Sequence, residues 1–181
     1  GAGEVSGAII ALPAGLASVG AVRARSKPEL RQIDVVIPNL PEDLRGLRIA
    51  QLTDIHYGPF YSRRDLEWAV AMANETKAHI AVVTGDLITR RSDNLEECLW
   101  ILHGLRADAG VFGCLGNHET YAKAENQAEV LGRSAGIRFL RSDVENLRFG
   151  AASLVLTGVD YQPQDSKYLQ GIRATPGLVN I

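Results

Sequence analysis

Cysteine is scarce in this sequence: Cys98 and Cys114 are the only two, sixteen positions apart, with no Cys-x-x-Cys or mixed Cys/His spacing. That excludes a disulfide framework and a zinc finger, and both residues are expected as buried small hydrophobes. An excess of charge of either sign is also lacking. Nineteen basic residues face 21 acidic ones, the net charge is −2, and no long run of one sign occurs, so nothing marks an electrostatic footprint for nucleic acid. No G-x-G-x-x-G or Walker A loop follows any β-rich run, which argues against a doubly wound nucleotide-binding domain. Long apolar runs are equally rare. Val5 to Val22 is uncharged but contains Gly7, Pro13, Gly15 and Gly20, and it falls short of the roughly 20 apolar residues that cross a bilayer as a helix. With Arg23, Arg25 and Lys27 behind it, residues 1–28 read as an anchor, the remnant of a signal peptide, or a flexible arm. If the stretch is an anchor, the basic cluster favours a cytoplasmic position for the domain behind it.

What is present is enough for a core. A chain of 181 residues with 46% apolar side chains supports one compact domain, here residues 29–181. From residue 30 onward short β-rich runs alternate with amphipathic stretches, the signature of α/β architecture. The runs QIDVVI (32–37) and LRIAQLTD are expected to pair as strands. A capping box at Ser62 and Asp65 opens a helix to about Lys77. HIAVVTGD has the continuous apolar character of a parallel strand covered on both faces. Asp93 with Glu96 opens a second helix, VFGCLG gives a further strand, and Thr120 can cap a third helix running to about Ser134. IRFL, LRFG and ASLVLTGVD suggest a β-meander, and GLVNI at the C-terminus looks like the start of another strand.

Three polar clusters each close an apolar strand: TDIHYG, TGDL and LGNHE. Asp54, Asp86 and Asn117 are 32 and 31 residues apart, one strand–helix unit each. In an open α/β sheet that spacing brings all three to the carboxyl edge, where ligands bind. Asp54 and His56 alternate about Ile55, a pattern that turns both toward one side of an extended strand. Carboxylate and imidazole together suit Mn, Fe or Zn better than Ca or Mg. His79 and His103 lie away from this edge and are expected to be structural. Tyr57, Tyr61 and Arg63 are candidates for lining the cleft.

The ordered motifs D-x-H, G-D and G-N-H-E make the sequence resemble the calcineurin-like metallophosphoesterases over about residues 46–160, with local wording similar to the bacterial membrane-associated or exported phosphohydrolases. The resemblance implies an α/β/β/α fold, a β-sandwich flanked by helices. It implies two divalent metal ions, with Asp54 and His56 on the first, Asp86 bridging, Asn117 on the second, and His118 as general acid or oxyanion partner. It further implies hydrolysis of a small phosphodiester or phosphomonoester by hydroxide generated at the metals. The family completes its site with a further His and a G-H-x-H pair, whereas no histidine follows His118 here. The expectation is therefore an incomplete catalytic domain, truncated at its C-terminus, with a weak second metal position, or a non-catalytic metal-binding or interaction module that keeps the fold. Thr89 stands where many relatives carry an Asp that orients the catalytic histidine, and Glu119 is expected as a helix-N-terminal or solvated charge, with a substitute role for that Asp as the other option.

Overall fold

The computed structural model describes residues 28–161 and the backbone of Val179–Asn180. The apolar N-terminal stretch lies outside the described residues.

Four strands, β1 (Ile49–Leu52), β2 (Ile80–Thr84), β3 (Val111–Cys114) and β4 (Ile137–Phe139), form one parallel sheet in that order. Helices α1 (Arg63–Glu75), α2 (Leu95–Leu102), α3 (Asn117–Ala122) and α4 (Glu125–Ser134) connect them. A second sheet contains the hairpin β5 (Asp143–Phe149) and β6 (Ala152–Gly158), with β7 (Val179–Asn180) parallel to β6. The run 137–139 thus joins the parallel sheet rather than a meander, and 179–180 is indeed strand.

Two cores explain the layering. Leu66 and Val70 of α1, with Cys98, Leu99 and Leu102 of α2, pack with Val83 on the helical face of the parallel sheet. Ile80 and Phe112 pack with Leu147, Leu154 and Leu156 between the two sheets. Successive β2 side chains therefore enter opposite cores, which is why its sequence is apolar throughout. The layers are helices, parallel sheet, second sheet; a helical layer on the far side of the second sheet is not among the described residues.

Several local expectations hold for visible reasons. Ser62 caps α1, its hydroxyl taking the Asp65 amide while the Asp65 carboxylate takes the Ser62 amide at 3.0 Å. Such a reciprocal box is worth about 1 kcal/mol. Gly136, at φ +75°, lies just past α4.

Others are corrected. Residues 32–37 form no strand; Ile33, Val35 and Val36 are exposed at 80, 75 and 90%, and β1 pairs with β2 instead. β-propensity is a local preference, and a strand also needs an edge to bond. The cap of α2 is Asn94, whose side chain accepts from the Glu97 amide at 3.0 Å, while Asp93 turns back to the loop before it. The third helix is two: Lys123, at φ 55°, breaks the chain between α3 and α4. Because α3 starts at Asn117 and not after Thr120, Asn117 and His118 occupy a helical first turn.

Candidate metal centre

β1, β2 and β3 end at Leu52, Thr84 and Cys114, and each is followed within three residues by a candidate ligand: Asp54, Asp86, Asn117. The backbone there leaves the extended conformation at once. Asp54, His56 and Asp86 have φ of 53°, 47° and 52°. The left-handed region costs a non-glycine residue on the order of 1 kcal/mol, so these turns persist only if surroundings fix them. The pleat alternation expected for Asp54 and His56 accordingly does not apply.

Two sets of bonds hold the turns. The amides of His56 and Tyr57 donate to the carbonyls of Asp86 and Leu87, both at 2.8 Å, tying the first loop to the second. Glu119 ties the second to the third. Its carboxylate is fully buried and accepts from the amides of Asp86 (2.9 Å), Leu87 (2.7 Å) and Gly116 (2.8 Å). Of the two readings of Glu119, the solvated charge is corrected and the helix-N-terminal charge holds. It is the N3 residue of α3, where a Glu reaches back to the amide at the helix start; its place three residues after Gly116 was the available signal. Backbone approach is close enough to require glycine on both sides: a Cβ at Gly85, already at φ +79°, would lie 2.5 Å from the Gly116 nitrogen, and one at Gly116 would lie 2.6 Å from the Asp86 nitrogen.

On this frame His56, Asp86 and His118 converge, with one potential ligand atom from each lying within 4.8 Å of the others. His56 Nε2 is 3.8 Å from Asp86 Oδ2, and the two imidazoles meet edge to face with centroids 4.8 Å apart. Asp86 is also contacted by the His118 amide at 3.1 Å. Asp54 lies outside this compact group; it is exposed and accepts from the Thr53 hydroxyl at 2.6 Å.

Thr89 touches both rings. Its hydroxyl is 3.2 Å from His56 Nδ1 and its carbonyl 3.0 Å from His118 Nδ1. A carbonyl only accepts, so His118 carries its proton on Nδ1 and, when neutral, offers the Nε2 lone pair. Asp93 in turn secures the Thr89 loop by accepting the amides of Thr89 and Arg90 at 3.0 and 2.8 Å.

The donor set fits a divalent cation. The Asn117 amide lies against Asp86, its nitrogen donating to the two carboxylate oxygens at 3.2 and 3.3 Å.

His79 and His103 are structural, as expected. His79 Nδ1 accepts the Arg48 amide at 2.9 Å, and His103 Nδ1 contacts the Ala135 carbonyl at 3.0 Å. Cys98 is fully buried and Cys114 partly so; burial raises both thiol pKa values, Cys114 to about 11 with Asp160 and Glu119 adding to the shift. Tyr57 is buried beside the first loop, and burial followed by a hydrogen bond with Glu97 pushes its hydroxyl up to about 12.

The calcineurin-like phosphoesterase family model matches residues 47–172. This chain belongs to that family. It is 34% identical over 128 residues, 70% of this chain and 29% of the other, to a transmembrane protein with metallophosphoesterase domain from Danio rerio. An uncharacterized metallophosphoesterase of Campylobacter jejuni is 30% identical over 76% of this chain and 36% of its own length. A UDP-2,3-diacylglucosamine pyrophosphatase of Chlamydia trachomatis is 30% identical over 58% of this chain and 33% of its own. The chain thus spans about a third of the length of the curated relatives it matches. Among the described residues, no helix of this calcineurin-like phosphoesterase is long and apolar enough to cross a membrane.

Proposed function

We propose that this chain carries the metal-binding part of a phosphoester hydrolase active site, with Asp54 and His56 holding one divalent ion, Asp86 bridging and Asn117 reaching a second. The convergence of His56, Asp86 and His118 at the carboxyl edge of the parallel sheet is the observation that supports it most strongly. Mixed nitrogen and oxygen donors favour Mn, Fe or Zn. Within the sequence given, Asp86 and Asn117 are the residues assigned to the second position.

Bound ions supply Lewis acidity at the phosphoryl oxygens and lower the pKa of a coordinated water. The chain's own residues do the rest. His118 is registered against Asp86 through its amide, and Thr89 fixes its Nδ1 proton. In its protonated form the ring carries a second proton on Nε2 and delivers it to the leaving oxygen, worth roughly 10²- to 10⁴-fold in rate. Glu119 holds the loops so that no reorganisation accompanies the step.

The substrate is a small phosphodiester or monoester. Association with a membrane belongs to the same proposal, supported by the relatives named as transmembrane and by the uncharged Val5–Val22 stretch. The other reading is a metal-binding module that keeps the fold without turnover.

Hydrolysis of bis(p-nitrophenyl) phosphate with and without manganese separates the two. Manganese-dependent release that falls at least a hundredfold in His118→Asn, with metal content kept, is expected. A chain that binds manganese yet hydrolyses neither diesters nor monoesters is the non-catalytic module.

A further inference from the structure

α3 carries Asn117 and His118 on its first turn, and Tyr121 follows His118 by three positions, so the two rings share a helix face. They meet edge to face with centroids 6.0 Å apart and planes at 65°. Tyr161, just beyond β6, continues the series: its ring lies 6.0 Å from that of Tyr121 at 73°, and the two hydroxyls are 3.3 Å apart. With His56 on the other side of His118, four rings lead from the candidate metal ligands out to solvent.

The outer part of this series is open but rigid. Tyr121 is 65% exposed, an unusual position for a ring whose contribution is core packing. The segment bearing Tyr161 is fixed to the end of β3, the strand that delivers Asn117: the Tyr161 amide donates to the Leu115 carbonyl at 2.9 Å, and Asp160 accepts the Leu115 amide at 2.9 Å. Arg141 clamps Asp160 from behind at 2.7 Å. An exposed tyrosine in such a setting offers a flat contact face at little further cost in conformational entropy.

We propose that Tyr121, backed by Tyr161, is a recognition subsite for a planar aromatic group, phenyl-like or nucleobase, attached to the leaving oxygen of the phosphoester. The assignment to the leaving side rests on the reading of His118 as the proton donor to that oxygen. A flat ring lies against Tyr121 while its phosphoryl group reaches the metal ligands. Aromatic pairing beyond simple area burial is worth about 0.5–1.5 kcal/mol, a preference of about two- to tenfold for a flat ring over a saturated one of equal size.

The test is equilibrium binding of phenylphosphonate and cyclohexylphosphonate, neither of which can be hydrolysed, to the manganese-loaded 181-residue chain. Phenylphosphonate is expected to bind about two- to tenfold more tightly. Tyr121→Ala should abolish that difference, and Tyr121→Phe, which keeps the ring, should retain it; circular dichroism verifies folding. A nucleoside 5′-phosphonate in parallel tells whether a nucleobase gains more than a phenyl ring. A ratio that is near unity in the parent chain, or that survives Tyr121→Ala, overturns the subsite and leaves the phosphoester reading intact. Absence of binding by every phosphonate defeats the phosphoester reading, and the subsite falls with it.

Discussion

Glu119→Gln is the sharpest test of how the site is held. The carboxylate is the one fully buried charged side chain among the described residues, and it accepts three amides at 2.7–2.9 Å from two different loops. A glutamine keeps one acceptor oxygen and puts an NH₂ where the other was. In one orientation the amides of Asp86 and Gly116 face that NH₂; in the other those of Leu87 and, at 3.4 Å, Ile88 do. Either way at least one hydrogen bond to a charged group is lost, about 1.5–3 kcal/mol, and the survivors lose their charge assistance. Relief from burying a charge offsets part of this. The net expectation is about 2–4 kcal/mol, or a fall in Tm of about 5–15 °C for a chain of this size. Thermal and urea unfolding measure it, with the exposed Glu96→Gln as a control expected within about 0.5 kcal/mol. A Glu119→Gln protein as stable as the control would refute the claim that this carboxylate clamps the loops.

Thr89→Val removes the hydroxyl beside His56 Nδ1 while keeping the carbonyl that faces His118, and an outer partner of this kind is worth about tenfold in metal affinity. Calorimetric manganese titration should show that loss, with Thr89→Ser restoring affinity and all three proteins equally stable, since Thr89 is exposed. Cys114 should resist alkylation in the native protein. With its thiol pushed up to about 11 by burial, then by Asp160 and Glu119, only about one molecule in a thousand carries the reactive thiolate at pH 8, and labelling should accelerate as pH rises toward 11 and after unfolding.

The sheet edge and the three polar clusters were legible because their signals are local and repeated: each ligand follows a glycine or a strand end by one to three residues, and the intervals of 32 and 31 positions measure one strand–helix unit. The α1 cap was legible for the same reason. What failed required knowledge of partners. Residues 32–37 carry the right side chains for a strand but pair with none among the described residues. Asp93 looked like a helix cap because Asp-x-x-Glu is one, yet its carboxylate closes the preceding loop. Glu119 was legible as a helix-N-terminal charge but not as a buried one; only the meeting of two strand ends supplies the amides that bury it. The left-handed turns at Asp54 and His56 depend on inter-loop bonds that no single segment encodes.

A divalent ion is expected among these strand-end residues. Crystals grown with manganese, measured above its absorption edge, test it directly. The expected result is an anomalous peak within coordinating distance of His56 and Asp86, displacing the direct Asn117–Asp86 approach, and its disappearance in Asp86→Asn. A manganese-soaked crystal with no peak there, or with the same peak in Asp86→Asn, would contradict the account.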